Sequence, residues 1–229
     1  MEEKVNIFIA FMLPKESSSN MDKVAEDVKE LFLPNGKDEK FFHCTLLFIG
    51  RVAEEYIPFI QEKMKSIAAI QQPITIDIDD TGYFYSTKKD RIKVLYAKPS
   101  VMPPALTELC AMLYDTIGKP LAGKTTPPIN PARIHFTITK RLKRKLSRED
   151  FGSIKTKMNH LNIPVTIDNI GLYYCKDAEH RYYREISRYD FPASALHCVN
   201  KCNALFLSLF RFLCYRTFIW FQRYRFILD

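Results

Sequence analysis

FFHCTLLFIG, residues 41–50, and ARIHFTITK, residues 132–140, are the two stretches from which this chain of 229 residues is best read. Each carries a His, one spacer and a Thr: His43-Cys44-Thr45 in the first, His135-Phe136-Thr137 in the second. Both triplets stand in short apolar runs rich in β-formers, which predicts strands. Along a strand residues i and i+2 point to one face, so each motif presents an imidazole beside a hydroxyl. Two such pairs, one from each half of a domain, give a symmetric site with two acid/base groups and two hydroxyl donors. The chain holds five histidines, so two of them in matching contexts stand out.

That equipment suits in-line displacement at a phosphodiester. With an ordinary pKa of about 6.5, one imidazole can stay neutral as base while the other is protonated as acid. The base takes a proton from water and the acid gives one to the departing oxygen. Thr45 and Thr137 can donate to the non-bridging oxygens, where charge builds up in the transition state; the competing explanation for each Thr is ordinary β-propensity. No metal or other cofactor is needed. The other histidines, His160, His180 and His197, lack carboxylate or thiol partners at ligand spacing and are expected on the surface or in loops.

Composition narrows the classes further. The length fits one domain, or one domain plus an appendage, with room for a sizeable core. A net charge of +8 fits a polyanionic partner, and fits a merely basic protein as well. Seven glycines, with no GxxxxGK[ST] and no GxGxxG, argue against a phosphate-cradling loop. Six cysteines are scattered without a CxxC pair, which speaks against a zinc site. The opening MEEKVNIFIAFMLPKE is acidic and its apolar run is short for a secretory signal, so free thiols in a reducing cytoplasm are expected.

Periodicity and punctuation predict strands at 5–13, 41–50, 74–79, 93–97, 134–139, 165–174 and 182–189. Helices are predicted at 17–33, 54–70, 105–117 and 149–161. Thr81-Gly82-Tyr83-Phe84 reads as a turn into a loop, 118–133 as a loop, and 141–148 as a basic connection. Strand, helix and motif thus occur twice, as in a duplicated lobe, with no residue-level repeat visible beyond the motifs. The class is α+β, two antiparallel sheets with helices outside. Residues 1–192 form that domain. Residues 193–229 are an aromatic and basic tail, expected to be helical, whose Arg211 and Arg216 interrupt any spanning run. An interfacial membrane or partner helix, a helix packed on the domain, and a segment unselected for structure all remain open.

NIFIAFMLP (6–14), HCTLLFIGRV (43–52), DTGYF (80–84), KVLYAKP (93–99), HFTITK (135–140) and NIGLYYCKDAEHRYYREISRYDF (169–191) follow one another in an order that resembles the 2H phosphoesterase superfamily, and within it the LigT-like branch of 2′-5′ RNA ligases and RNA 2′,3′-cyclic phosphodiesterases. The resemblance implies a bilobal fold in which the two antiparallel sheets flank a central cleft lined by both motifs. It also implies metal-free opening of 2′,3′-cyclic phosphates at RNA ends to leave a 2′-phosphate. His43 and His135 would take the acid/base roles, and Thr45 and Thr137 the phosphate contacts. Where the family commonly has Arg, five residues after the second His, this chain has Lys140, which keeps the charge without the planar fork.

Strand parity puts Lys140 opposite His135 unless the strand ends or bulges first. Phe84 reads as a stacking platform for a base or as core. The basic run Arg141-Leu142-Lys143-Arg144-Lys145 reads as a funnel for an RNA backbone or as a solvated loop. The expected partner is an RNA or oligonucleotide with a cyclic phosphate or a 2′-5′ linkage, and the expected state a monomer. Cleavage of 2′-5′ oligoadenylates or cyclic oligonucleotides, and a non-catalytic nucleotide-binding module, are the alternatives.

Overall fold

Two runs share the pattern Ile-Asp-Asp/Asn-x-Gly-x-aromatic-Tyr, at 78–85 and at 167–174, so the duplication does reach residue level. A computed structural model shows what the pattern builds. It describes residues 4–31, 42–125, 133–140, 142, 146–175 and 183–192, which up to Phe191 belong to one compact unit. The tail 193–229, most of the basic run (Arg141, Lys143, Arg144 and Lys145), His180 and His197 lie outside the described residues.

The first repeat runs β1 (Lys4–Met12), α1 (Lys15–Glu26), β2 (His43–Ala53), α2 (Ile57–Ile70), β3 (Ile74–Ile78) and β4 (Asp80–Ser86). The second runs β5 (Arg91–Lys98), α3 (Pro104–Leu113), β6 (Phe136–Thr139), α4 (Asp150–Lys157), β7 (Ile163–Ile167) and β8 (Asn169–Cys175), with β9 (Tyr183–Asp190) added. Seven strands form one antiparallel sheet in the order β4-β5-β6-β2-β1-β8-β9, and β3 pairs with β7 in a sheet of two. Each repeat's last strand therefore pairs with the other repeat's first, β4 with β5 and β8 with β1. The repeats interlock, so neither completes its half of the sheet alone.

The helices form where apolar spacing and prolines permit. In α2, Ile60, Met64, Ile67 and Ala68 are buried at i, i+4, i+7 and i+8, and in α3 Leu106, Leu109 and Leu113 at i, i+3 and i+7. Pro58 and Pro104 sit in the first turns, where a missing N–H costs nothing. Pro14 ends β1, and α1 follows directly. These helices share one extensive core with the sheet, including Ile7, Ile9, Phe11, Leu46, Leu47, Phe136 and Ile138. Full burial of each such side chain is worth about 1.5–3 kcal/mol. Among the described residues no helix is long and apolar enough to cross a membrane.

The expected α+β class with two antiparallel sheets holds, and the larger sheet divides at the junction of β2 and β6 into the half-sheets β4-β5-β6 and β2-β1-β8-β9. Several finer expectations change. The helix expected to reach Leu33 stops at Glu26, and a single 3-10 turn, Lys29–Leu31, follows. Thr81–Phe84 is not a turn but the middle of β4, paired with β5. Its glycine marks close approach: a Cβ on Gly82 would lie 2.5 Å from the ring of Tyr96 on the neighbouring strand. The strand expected over 165–174 is two strands in different sheets, broken at Asp168, whose carbonyl accepts the Phe191 N–H at 2.7 Å. The first repeat breaks at the same place, Asp79, whose carboxylate accepts from the Ser100 N–H and hydroxyl, each at 2.7 Å.

Candidate active site

The half-sheets meet along β2 and β6, where the paired residues are Cys44 and Phe136. These are the spacers of the two motifs, and both are fully buried. Directly paired residues share a face, so the neighbours on either side of each spacer fall on the other face. Antiparallel register then sets His43 across from Thr137 and Thr45 across from His135. The four polar residues of the motifs surround one backbone junction. His135 is the residue immediately before β6, and its Nδ1 lies 2.5 Å from the Arg133 carbonyl oxygen. A carbonyl only accepts, so Nδ1 carries a proton, and whenever the ring is neutral its lone pair is on Nε2.

Rings on that face bracket each imidazole. Phe84 from β4 meets His135 edge-on with centroids 4.8 Å apart, and Tyr96 from β5 lies 5.3 Å from the same ring. Phe84 and Tyr96 touch each other at 4.6 Å. Around His43 the corresponding pair is Phe8 at 5.4 Å and Tyr183 at 4.9 Å, themselves 5.2 Å apart. Register agrees: Thr137 pairs with Tyr96, Tyr96 with Gly82, Thr45 with Ala10 and Ala10 with Gly171. In each half a ring covers the glycine two strands from the threonine. Tyr96 does so from the next strand, and Tyr173 does so from Gly171's own strand, each so close that a Cβ on the glycine would lie within 2.6 Å of it. Phe8, Ala10 and Tyr173 form a small apolar cluster of their own, with Met12, Cys175 and Tyr183 against it.

Beneath the site the environment is dry. Burial pushes the Cys44 thiol far above its ordinary value and the neighbouring Cys110 adds to the rise, while a hydrogen bond with the His135 backbone offsets it in part. The Cys110 thiol, on α3, is pushed up by burial to about 12. Thr137 is 4 % exposed and Thr45 half-buried. Beyond Phe8, Tyr173 stacks at 5.7 Å and donates its hydroxyl to Glu185 at 3.1 Å, which pairs with Arg188. Among the described residues no three His, Cys, Asp or Glu side chains are grouped to hold a metal.

Of the residues singled out in the sequence, His43, Thr45, His135, Thr137 and Phe84 come together on this face. Lys140 is half-buried and just past the end of β6. The parity that set it opposite His135 does not survive, because β6 bulges against β5 between Thr137 and Thr139 and shifts the phase by one residue. Phe84 is half-buried, and its ring packs on Tyr96 and His135. His160, expected on the surface, pairs with Asp27 at 3.2 Å across two exposed side chains. Sequence reading missed Phe8, Tyr96 and Tyr183. The first two looked like ordinary strand apolars; Tyr183 could have been found only through the pairing of β9 with β8.

A family model described as LigT like phosphoesterase matches residues 12–96, which includes the first motif and stops before the second. Among solved structures, Escherichia coli LigT complexed with 3′-AMP superposes with a TM-score of 0.60 at 20 % identity, covering 82 % of this chain and 99 % of that one. The same protein complexed with NADP+ gives 0.58 at 19 %, with 82 % and 99 % covered. TT0787 of Thermus thermophilus gives 0.58 at 16 %, again with 82 % and 99 % covered. At such identities the likeness is one of fold. No curated protein matches the sequence.

Proposed function

We propose that this chain, whose residues 12–96 match a LigT like phosphoesterase model, is a metal-independent phosphodiesterase of that family that opens 2′,3′-cyclic phosphates at RNA ends to 2′-phosphates. The observation that carries the reading is the pairing of Cys44 with Phe136, which sets both motifs around one junction. One imidazole takes a proton from water as its oxygen bonds to phosphorus. The P–O bond to the leaving oxygen breaks, and the other imidazole supplies the proton that oxygen needs. The Thr45 and Thr137 hydroxyls donate to the two non-bridging oxygens.

His135 is suited to start as either partner, since its Nδ1–H is held by the Arg133 carbonyl and Nε2 is the nitrogen that exchanges the proton. Lys140 supplies positive charge to the phosphate from the end of β6, and Phe84 contacts a base with the part of its ring left exposed. The similar LigT structures with 3′-AMP and NADP+ are of a protein that takes nucleotides, which fits this substrate class. The reading places the protein in a reducing cytoplasm, with Cys44, Cys110 and Cys175 as reduced thiols.

A substrate panel tests it. The full chain is assayed in EDTA against RNA ending in a 2′,3′-cyclic phosphate, 2′-5′ oligoadenylate and a cyclic dinucleotide. Turnover of the first in EDTA supports the proposal. Activity abolished by EDTA, or nucleotide binding with no turnover, contradicts it.

A further inference from the structure

Beyond the motif residues, the open face of the half-sheet β4-β5-β6 carries a line of cations. Tyr96 pairs with Thr137 and stands on that face beside His135. Phe84 pairs with Val94, and Ser86, two residues further on β4, pairs with Arg91, so Val94 and Arg91 share the face. A bulge between these pairs makes Lys93 the extra residue of β5: Ile92 beside it is buried, whereas Lys93 is exposed. Thr139 pairs with Leu95 on the covered face, both of them buried, which leaves Lys140 on the open one. Past Arg91 the line ends in the β4–β5 turn with Lys88 and Lys89, both exposed. Among the described residues Lys88, Lys89, Arg91 and Lys93 make no ion pair. Asp90, the acid of the turn, accepts from the Tyr85 hydroxyl. Among the described residues the other half-sheet has no such line. Five residues after its His stands Phe48, where the second motif has Lys140, and Phe8 and Asn6 continue the face. Its cations Arg51 and Arg188 share that face with Glu185 and Asp190.

We propose that this line is a track for the phosphates of a single-stranded RNA, so that the strand leading to the reacting end lies over β4-β5-β6, on the His135 side. This rests on the phosphodiesterase reading and deepens it: the substrate is the end of an oligonucleotide rather than a free cyclic mononucleotide. The spacing suits one strand. From Tyr96 to Arg91 β5 runs roughly 15 Å, and Lys93 and Arg91 are about 7 Å apart along it, near the step between phosphates of an extended strand. A line of cations one strand wide meets one backbone. Contacts to phosphate carry no sequence information, so the track selects length over sequence. Each cation that meets a phosphate releases counterions, which makes the gain dependent on salt.

The test uses adenosine 2′,3′-cyclic phosphate and oligoadenylates of two, four and six nucleotides ending in the same group. Between about 50 and 200 mM salt, kcat/KM is measured for the wild-type full chain, for Lys88→Gln, Lys89→Gln and Lys93→Gln combined, and for Arg51→Gln on the other half-sheet. In the wild type kcat/KM should rise with length. Removing three phosphate contacts should cut the salt slope of the hexamer by about 2, so that the triple variant loses about 20-fold less than wild type over that range. The mononucleotide does not reach the three lysines, so every variant should turn it over at the wild-type rate, which also shows that they fold. Arg51→Gln should follow wild type throughout. Equal wild-type kcat/KM for mononucleotide and hexamer overturns the inference and leaves the phosphodiesterase reading standing. So does a length gain that survives the triple variant, or one that is lost in Arg51→Gln. No turnover of any of the four substrates contradicts both.

Discussion

Cys44 and Phe136, the spacers of the two His-x-Thr motifs, are direct partners across the junction of β2 and β6. Pairing the spacers fixes the outcome for their neighbours, because a one-residue slip would send every polar residue of one motif to the helix-covered face. The junction thus sets the register of the two motifs as well as joining the half-sheets. Cys44 is small enough to be fully buried there beside Cys110.

That burial is testable by alkylation. With its thiol buried and held protonated, Cys44 should resist iodoacetamide in the folded protein and react only after denaturation. Peptide mapping after a timed pulse checks this. Labelling of Cys44 at the rate of a free thiol under native conditions contradicts the packing described.

Gly82→Ala should act on the site more than on the fold. The new methyl would meet the far end of the Tyr96 side chain, Cε2 at 2.5 Å and the hydroxyl at 2.6 Å, and the ring must swing away. Because Tyr96 packs on both His135 and Phe84, turnover should fall while unfolding changes by only about 1 kcal/mol. Thermal unfolding and kcat measured on the same preparation separate the two effects. An unchanged kcat would remove Tyr96 from the site.

Asp80 links three elements through ion pairs to Lys98 at 3.0 Å and Lys155 at 2.8 Å. Burial alone would push its carboxyl up, but hydrogen bonds from the two lysines outweigh that and hold it at about 2, below its ordinary 3.8. A depressed carboxyl contributes stability above the unfolded value, and that contribution is lost as pH falls from about 3.8 towards 2. Asp80→Asn should therefore cost on the order of 1–2 kcal/mol at pH 7, after allowance for screening of the exposed Lys155. The gap in urea midpoint between variant and wild type should shrink to a small fraction of its neutral-pH size at pH 2. A gap of the same size at both pH values would show that the pairs contribute nothing.

The threonines carry a separate expectation. Thr45→Val and Thr137→Val keep shape and β-propensity but remove the hydroxyl donor, so each should lower kcat by roughly 10²-fold with little loss of stability. A kcat within twofold of wild type for either variant would reduce that Thr to a strand residue.

Much of this was legible in the sequence because strand parity is a local property. His-x-Thr puts the two side chains on one face wherever a strand forms, and the Leu and Ile spacing of α2 and α3 needs no partner to be read. What escaped were features set by the neighbouring strand. Thr81–Phe84 looked like a turn because Gly82 punctuates it, whereas the glycine answers to a tyrosine on β5. The break at Asp168 was hidden in an unbroken β-prone run, since the change of sheet is a tertiary event. Tyr183 and Tyr96 gained their place near the imidazoles only through cross-strand register, and the bulge that rephases Lys140 exists only against β5.

The most direct measurement is single-turnover hydrolysis of RNA ending in a 2′,3′-cyclic phosphate by wild type, His43→Ala, His135→Ala and the double variant. If the two imidazoles act as one acid/base pair, each single change should lower the rate by about 10²–10⁴-fold, and the double variant should be little slower than the worse single one. Either single variant hydrolysing at the wild-type rate would contradict the assignment of one site to both motifs.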